Sequence, residues 1–332
     1  MSFSLKNKNV LYVAPRFFGY DKEIGDELKR RGATVDILWD RPFDTPLLKA
    51  ITRIRTEWVA KFAERYYERE TAMLSRKDYD LVFIINGQTL TSNTLKKWRT
   101  HYVNAKFVLY MWDSFGNRPS AINNLRFFDE RFSFDPNDSA KFGMHFRPLF
   151  FSKGFEGTSA ESRKYDISFV GTAHTDRYAI VSAVKKGLKG EVAAYWYLYL
   201  QAKWVYLLSK FVKRSFRTAT IGEFRFDPLK KVDVQRIFFA SNAILDIEHP
   251  NQTGLTMRTL EALGARKKLV TTNKNIRCYD FYSHNNICIL DRQNPVIPED
   301  FLSAPYEKMP PSTYRRYSLE GWMDEILSNV TP

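Results

Sequence analysis

The sequence predicts an α/β protein with two parallel sheets, and three observations lead to this fold class. Short apolar runs alternate with segments of helical periodicity along most of the chain. The 332 residues are long for one core but ample for two domains. A stretch rich in Gly, Ser and charge, 151–164, has the composition of an interdomain linker. We therefore expect an N-terminal domain at 1–150 and a second domain at 165–314.

The N-terminal half alternates strands and helices in chain order. The predicted strands are 9–14, 34–39, 81–85, 107–111 and 131–134. The predicted helices are 21–31, a long basic and aromatic stretch at 47–75, and 92–101. Gly32 is placed to end the first helix. Strands that alternate with helices form a parallel sheet covered on both faces, so this half predicts one such layer.

The C-terminal half repeats this alternation without a convincing internal sequence repeat. The predicted strands are 167–170, 192–198, 243–247, 269–272 and 287–290. The predicted helices are 176–189, 232–240 and 319–327, with a further short helix near residue 260. A second parallel sheet follows from this pattern.

Composition narrows the class of protein. Hydrophobic residues make up 44% and charged residues 27%, which is typical of a globular chain. Neither a signal peptide nor an apolar run long enough to span a bilayer is visible. Cys278 and Cys288 suit a reducing compartment better than a disulfide framework or a zinc site. The net charge of +14 favours an anionic partner but does not choose among phosphate, lipid and nucleic acid. We expect a cytoplasmic protein.

The segment 253–273 is the most informative in the chain. Thr253 and Gly254 open a loop that leads into a short amphipathic helix and then a buried strand. A helix N-terminus offers backbone N–H groups and a positive dipole end to a phosphate. Arg258 and Glu261 are three residues apart and share one helix face. The pair suits a diphosphate and a ribose, although such pairs are also commonly solvated ion pairs.

This segment resembles the donor-site signature of GT-B glycosyltransferases, in which a Gly-containing loop leads to a helix with a ribose-binding Glu. The Arg-x-x-Glu-Ala form at 258–262 is similar to the CgeB-like branch, found among spore-coat and surface-polysaccharide enzymes. A second match, Asp166-Ile-Ser-Phe-Val-Gly-Thr followed by Arg177, resembles the first C-domain strand, phosphate-side Gly loop and Arg of that branch. Both lie within 165–275.

The resemblance implies a GT-B fold with two Rossmann-like domains whose parallel sheets face a central cleft, with the C-terminal segment 315–332 crossing back to the first domain. The chain departs from the pattern at one point. Retaining members of the larger group 1 family carry a second Glu eight residues before the ribose Glu, where this chain has Thr253. The nearest upstream acid, Glu248, lies too far back, so the stereochemical outcome stays open.

Ligands of open parallel sheets bind beyond the carboxyl ends of the strands, which places the donor-side loops after Val170 and Ile247. The predicted donor-binding residues are Gly171, Thr172, His174, Arg177, Asn251, Thr253, Gly254, Arg258 and Glu261. The resemblance implies that Glu261 holds the ribose and that Arg258, Arg177 and backbone amides hold the diphosphate. His174 is an alternative phosphate donor or simply a solvated loop residue.

The acceptor side is expected at the strand ends of the first domain. Asn86, Gln88 and Trp112 follow two of its strands, and Asp113 comes next. An inverting transfer needs a base for the acceptor hydroxyl, and Asp113 is the leading candidate. Its alternative is an N-cap or turn residue. Asp135 and Asp138 belong to an Asp-Pro-Asn-Asp sequence that is more typical of a turn and cap.

Two stretches, 47–70 and 194–216, combine aromatic and basic residues in a way that suits a membrane interface. We favour a core role for the apolar residues of both. The preference is stronger for 194–216, because its apolar residues occur on nearly every side of a helix.

The sequence therefore predicts a glycosyltransferase that moves a sugar from a nucleotide-sugar donor to a hydroxyl of a bacterial surface glycan or a glycosylated protein. No cofactor and no metal are expected, and neither is nucleic acid. A lipid-linked acceptor suggests peripheral contact with an anionic membrane at the cytoplasmic face of the inner membrane. The alternatives are a sugar-nucleotide epimerase of the same fold, a basic nucleic-acid-binding protein, and a catalytically inactive scaffold.

Overall fold

The computed structural model describes residues 3–40, 56–74, 78–157, 163–250 and 252–330. Several predicted features lie wholly or partly outside these residues: Asn251, both ends of the helical stretch 47–75, the middle of the expected linker 151–164, and the last two residues of 315–332. The chain forms two compact units. The first comprises Met1–Leu149 together with Leu319–Pro332, and the second comprises Phe150–Ser318.

The first unit is built on a six-stranded parallel sheet with the order β2-β1-β3-β4-β5-β6. Its strands are β1 (Asn9–Ala14), β2 (Thr34–Trp39), β3 (Leu81–Ile85), β4 (Lys106–Met111), β5 (Glu130–Ser133) and β6 (His145–Phe146). Every residue of β3 is buried, as a strand covered on both faces requires. The five strands predicted for this half are confirmed.

Four helices flank this sheet among the described residues; the first three correspond to predicted helices, and the fourth was predicted only as a turn and cap. They are α1 (Tyr20–Arg30), α2 (Thr56–Met73), α3 (Ser92–His101) and α4 (Pro136–Phe142). Gly32 has a φ of 93°, which is the left-handed conformation that favours glycine after a helix. The hydroxyl of Thr91 caps α3 by accepting from the Thr94 N–H. Tyr67 of α2 and Trp98 of α3 pack in the core beside this sheet.

The second unit repeats the plan with the order β12-β11-β10-β7-β8-β9, and all its strands are parallel. Its strands are β7 (Tyr165–Thr172), β8 (Ala194–Tyr199), β9 (Phe224–Arg225), β10 (Ser241–Asp246), β11 (Lys268–Thr271) and β12 (Ile287–Ile289). Its helices are α5 (Arg177–Gly187), α6 (Lys203–Val212), α7 (Lys231–Phe239), α8 (Met257–Gly264) and α9 (Pro311–Arg316). The α/β fold class is confirmed.

The final helix, α10 (Leu319–Asn329), belongs to the first unit. Trp322 is fully buried there, with its ring 4.8 Å from that of Tyr110 in β4. A salt bridge of 2.7 Å between Arg31 and Asp324 also joins this helix to the region after α1.

The described start of the expected linker, 151–157, is not an exposed connection. Phe150, Phe151 and Phe155 are buried, and Lys153–Phe155 forms a short 3-10 helix within the second unit. A Cβ built on Gly264 lies 2.6 Å from the Phe151 ring, so the backbone of α8 packs directly on this segment. Three phenylalanines anchor a segment whose Gly, Ser and charge content suggested an exposed connection.

The Asp135-Pro-Asn-Asp sequence begins α4, and Asp135 is its N-cap. One Asp135 carboxylate oxygen accepts from the N–H groups of Asn137 at 2.9 Å and Asp138 at 3.2 Å. The predicted capping role of Asp135 is therefore confirmed.

The favoured core interpretation of 194–216 is wrong for its central part. The segment contains β8, then α6, and α6 exposes five large apolar side chains. In the segment 47–70 the described apolar side chains differ in their exposure, since Tyr67 is buried and Phe62 is 61% exposed. Among the residues that the structure describes, no helix is both long and apolar enough to cross a membrane.

Candidate functional site

The candidate donor site lies at the carboxyl edge of the second sheet, where β7 and β10 end side by side. Gly171 and Thr172 finish β7, and Asp246 finishes β10. Beyond β10, a loop leads into α8, which carries Arg258 and Glu261. Parallel strands place their ligand-binding loops at this edge, so the topology brings together two loops that the sequence keeps far apart.

Asp246 organises this edge. Its carboxylate is 1% exposed and accepts from the hydroxyls of Thr256 and Thr259, each at 2.6 Å. It also accepts from a guanidinium nitrogen of Arg258 at 3.0 Å. These bonds fix the first turn of α8 to the end of β10, because a buried carboxylate must keep its donors. The buried carboxylate of Asp246 therefore holds the Arg258 side chain in place.

The guanidinium of Arg258 lies against the end of β7. Its Cζ is 5.7 Å from the centre of the Phe169 ring, within the range of a cation–π contact. A Cβ built on Gly171 would come within 3.3 Å of an Arg258 nitrogen and 2.9 Å of the Phe169 ring. Glycine at this position therefore permits the close approach of the arginine to the strand end.

Arg177 begins α5 in the same region. Its Nε donates to the carbonyl of Ile247 at 2.7 Å, just past the end of β10. Burial, followed by the nearby charge of Arg258, lowers the pKa of Arg177 to about 10, so the side chain stays protonated at neutral pH. Two guanidinium groups thus act on each other here, and the carboxylates of Asp246, Glu248 and Asp176 offset part of their charge.

His174 lies in the loop between β7 and α5, with its Nε2 3.2 Å from a guanidinium nitrogen of Arg177. Desolvation by surrounding atoms, followed by the charges of Arg177 and His249, lowers the pKa of His174 to about 4. The ring is consequently neutral at pH 7. An anion bound between Arg177 and Arg258 would relieve the repulsion that keeps His174 unprotonated.

The loop before α8 is held by amide side chains. Asn273 Nδ2 lies 3.3 Å from the carbonyls of both Thr253 and Gly254, and Asn275 Nδ2 lies 3.3 Å from that of Thr253. Gly254 is buried. These contacts place the predicted loop residues beside the end of β11, whereas Asn251 lies outside the described residues.

Glu261 lies on α8, one turn beyond Arg258, and is 6% exposed. The structure does not pair it with Arg258, since the salt bridge of Arg258 is made with Asp246. The two residues therefore share the helix, as the sequence predicts, without the ion pair that was the alternative interpretation.

The sequence interpretation missed a second network next to this edge. Arg292, just after β12, forms salt bridges of 2.5 Å with both Glu248 and Asp176. Thr272 donates a hydrogen bond to the other carboxylate oxygen of Glu248. Asp246 ends β10 and Glu248 follows it. Their position at the end of a predicted strand is the sequence signal that could have identified them.

The carboxyl edge of the first sheet carries the predicted acceptor-side residues. Asn86 has a φ of 63° and is 6% exposed. Its side-chain oxygen accepts from the N–H groups of Trp112 at 2.9 Å and Asp113 at 3.2 Å, so it ties the end of β3 to that of β4. The N–H of Gln88 donates to the buried carboxylate of Asp40 at 2.8 Å. The predicted residues Asn86, Trp112 and Asp113 are brought together.

Asp113 is engaged in its own turn. Its Oδ1 accepts from the Ser114 N–H at 3.1 Å and from the Asn117 side chain at 2.9 Å. Its Oδ2 lies 3.1 Å from a guanidinium nitrogen of Arg118. This is the turn-capping role that the sequence offered as the alternative to catalysis. The catalytic role of Asp113 stays a prediction.

Asp138 is a second carboxylate near Asp113, and it is bound by a backbone N–H group. Its Oδ2 accepts from the Phe115 N–H at 2.8 Å. Burial raises its pKa above the ordinary value, and the charges of Asp135 and Asp113 act in the same direction. The contact with the Phe115 N–H agrees with the turn and cap role predicted for Asp138, and its proximity to Asp113 makes it the carboxylate to compare with Asp113.

An aromatic cluster at the same edge was also missed. Phe17 lies after β1, and its ring is 6.2 Å from that of Trp112 after β4 and 4.9 Å from that of Phe18. Phe17 is 42% exposed and Phe18 56% exposed, and Phe18 has a φ of 49°. An exposed bulky residue in the left-handed region is unusual and often marks a functional loop.

In the described part of the chain, no group of three or more His, Cys, Asp or Glu residues is arranged to hold a metal ion.

No protein-family model matches the chain, and no curated protein matches its sequence. Solved structures do match. HepE from Anabaena, crystallised with UDP and glucose, is 11% identical with a TM-score of 0.57, over 98% of this chain and 100% of that one. A glycosyltransferase from Rickettsia africae is 12% identical with a TM-score of 0.57 and the same coverage.

These similarities, together with two six-stranded parallel sheets flanked by helices, show that the chain has the GT-B fold. At identities near one residue in nine they carry the fold alone.

Proposed function

We propose that this protein is a glycosyltransferase that moves a sugar from a nucleotide-sugar donor to an acceptor hydroxyl. The observation that carries the proposal is the convergence of Arg177 and Arg258 where β7 and β10 end, in a chain of the GT-B fold. A diphosphate suits this place, because two guanidiniums and a nearby helix N-terminus offer charge-assisted hydrogen bonds. The Anabaena neighbour, whose crystals contain UDP, makes a uridine nucleotide the first donor to test.

The donor-side roles follow from the chemistry of each group. Arg258 and Arg177 would bind the diphosphate and stabilise its negative charge as it leaves the sugar. Gly171, Thr172 and Gly254 would let the ligand approach the backbone, and His174 would donate to a phosphate once protonated. Glu261 would accept from the ribose hydroxyls, as the signature that it resembles implies. No resident metal or other cofactor is part of this scheme.

The acceptor would meet the edge of the first sheet. Phe17, which is exposed, and Trp112, which is half-buried, offer aromatic faces that suit the apolar face of a sugar ring. Asn86 and Gln88 would order the strand ends that carry these groups. In an inverting transfer, a carboxylate removes the proton of the acceptor hydroxyl, and Asp113 is the proposed base, with Asp138 as its rival.

A bacterial surface glycan is the proposed class of acceptor, as lipopolysaccharide, O-antigen or capsule, with a glycosylated protein as the alternative. The support is the resemblance of 258–262 to surface-polysaccharide enzymes. Transfer of a sugar to a lipid-linked glycan would take place in the cytoplasm, at the inner face of the membrane.

Calorimetric titration with UDP, GDP, ADP, CDP and TDP tests the donor site first. We expect one nucleoside diphosphate to bind with a clear preference, and the matching nucleotide sugar to be consumed only when an acceptor is added. Failure of all five to bind the folded protein would overturn the proposal. Turnover of the sugar without any acceptor would instead indicate an epimerase.

A further inference from the structure

The helix α6 presents a continuous apolar face to solvent. Trp204 is 64% exposed, Leu207 and Leu208 are each 54% exposed, and Phe211 is 84% exposed. Val212 extends the same face. The spacing places all five on one side of a helix, since neighbours on a face recur every three or four residues. Single exposed apolar residues are common, but a contiguous group of this size marks an interaction surface.

The opposite face of α6 is anchored in the second unit. Tyr206 and Ser209 are buried, and the Tyr206 hydroxyl donates to the Ala219 carbonyl at 2.9 Å. The rings of Tyr206 and Phe224 lie 5.4 Å apart. Phe216, which follows the helix, is fully buried and stacks on Phe224. The helix is therefore held by one face while its apolar face points away from the core.

Positive charge accompanies the exposed face. Between residues 203 and 222 the sequence contains five basic residues and no acidic one. These residues are Lys203, Lys210, Lys213, Arg214 and Arg217. Lys203 begins the helix and Lys210 lies in its last turn. Cations of this kind attract the headgroups of anionic lipids, each contributing about 1 kcal/mol near the surface.

We propose that α6 binds the surface of a bilayer that contains anionic lipids, with Trp204, Leu207, Leu208 and Phe211 inserted at the level of the acyl boundary. Ten residues of helix span about 15 Å, half the hydrocarbon thickness, so the helix must lie in the plane of the interface. Tryptophan prefers this depth, because its ring is apolar and its N–H is polar. The basic residues then face the headgroups.

Charge complementarity distinguishes this surface from one built for a protein. A protein-binding helix of the same apolar face needs an acidic counterpart to five cations, whereas an anionic bilayer supplies that charge everywhere. The end of α6 also lies close to the candidate donor site, since Lys213 is among the charges that lower the pKa of His174. Docking would bring that site to the membrane surface.

Co-sedimentation with vesicles tests the apolar face. We expect the protein to bind vesicles of phosphatidylcholine mixed equally with phosphatidylglycerol, and to bind phosphatidylcholine alone weakly. The double variant Leu207→Ser/Phe211→Ser should lose at least about tenfold in partitioning, because it removes two large apolar contacts. Val103→Ser is the matched control, since Val103 is 74% exposed in the first unit. It should bind like the parent protein.

A second pair of variants tests the charge. Lys203→Gln/Lys210→Gln should weaken binding to the mixed vesicles by roughly thirtyfold, because it removes two cations near an anionic surface and their separate effects on the binding constant multiply. Lys185→Gln/Lys186→Gln removes two exposed lysines from the last turn of α5 and should change binding less than about twofold. Melting curves by circular dichroism confirm that each variant is folded.

Three results would overturn the proposal. One is no binding of the parent protein to mixed vesicles. Another is undiminished binding by Leu207→Ser/Phe211→Ser. The third is concentration-dependent self-association that the same variant abolishes while vesicles remain unbound, which would assign α6 to a protein interface. The experiment needs neither nucleotide nor acceptor, so its outcome is independent of the proposed sugar transfer.

Discussion

The carboxyl edges of the two sheets have the same architecture but opposite chemistry. At the edge of the second sheet, Arg177 and Arg258 are fixed by a strand-end carbonyl and by the buried carboxylate of Asp246. At the edge of the first sheet, Phe17 and Trp112 pack together, and the next residue, Asp113, binds the Asn86 side chain through its N–H. Two arginines whose guanidiniums lie close together suit an anion, and an aromatic edge with carboxylates suits a neutral, hydroxyl-rich ligand.

The contrast illustrates that the parallel α/β topology fixes the position of the ligand-binding loops but does not fix the chemistry of the ligand. The order of strands places the loops, and the side chains after each strand decide the charge. Variants at the two edges should therefore affect different steps. Those at the first edge should act on turnover, and those at the second on nucleotide affinity.

The largest expected effect belongs to the base at the first edge. Asp113→Asn should lower kcat by roughly a hundredfold or more, because general-base catalysis contributes that much. Nucleotide affinity should be unchanged. Release of nucleoside diphosphate with a responsive acceptor measures kcat. Asp138→Asn is the comparison and should cost less than about threefold. The reverse order would assign the base to Asp138 and leave Asp113 as the cap of its turn.

Arg258→Gln should have the next largest effect, on affinity. Loss of a charge-assisted hydrogen bond to the diphosphate should weaken nucleotide binding by roughly a hundredfold in calorimetry. The melting temperature should also fall, because Asp246 stays buried without its cation. Arg258→Lys should restore stability more than affinity, since lysine keeps the charge but not the fork. Arg99→Gln, which breaks an exposed pair with Asp129, is the control. Equal affinity in Arg258→Gln would remove this residue from the site.

Glu261→Ala should weaken the best nucleoside diphosphate at least about tenfold, or about 1.4 kcal/mol. The reason is the loss of hydrogen bonds to the ribose, so the corresponding 2′,3′-dideoxy nucleotide should bind parent and variant alike. Calorimetry of the parent protein and of the variant, each with the ordinary and the dideoxy nucleotide, isolates this interaction. A variant that weakens both nucleotides equally would indicate that Glu261 supports α8 and does not contact the ribose.

The smallest expected effect concerns His174. Its pKa of about 4 lies below the ordinary 6.5, so the unfolded chain binds more protons between these values. Stability should therefore fall as the pH drops from 6.5 towards 4, and His174→Gln should flatten this slope in melting experiments. A bound diphosphate should raise the pKa of His174. Affinity for the nucleotide sugar should then rise by a few-fold from pH 7 to pH 5 in the parent protein but not in His174→Gln.

Strand positions were largely predictable from the sequence. The strands 9–14 and 81–85 agree with the structure at both ends. The reason is that parallel strands buried on both faces are uninterrupted apolar runs, which few other elements produce. The capping roles of Asp135 and the helix-ending role of Gly32 were also visible, because both are local.

The network around Asp246 was not predictable. Its partners Thr256, Arg258 and Thr259 lie ten or more residues further along the chain. The spacing in the sequence related Arg258 only to Glu261, as ligand-binding residues on one helix face or, alternatively, as a solvated ion pair. The aromatic contact between Phe17 and Trp112 joins residues even more distant in sequence. Such contacts depend on which strands become neighbours, and a single sequence does not state strand order.

The helix α6 was misjudged for a related reason. Its apolar residues surround the helix, and the sequence alone does not tell which side another element will cover. The tertiary structure buries Tyr206 and leaves Phe211 exposed, which converts an expected core helix into a candidate membrane surface.

By itself, the sequence determined the α/β class and most element boundaries, because these depend on local periodicity and turn chemistry. The two segments that we propose to bind a nucleotide were singled out by their resemblance to a known donor-site signature. The tertiary structure alone decided which charges share a site, which carboxylate holds Arg258, and which face of α6 meets solvent. Those properties arise from long-range packing, where burial fixes partners that no local pattern records.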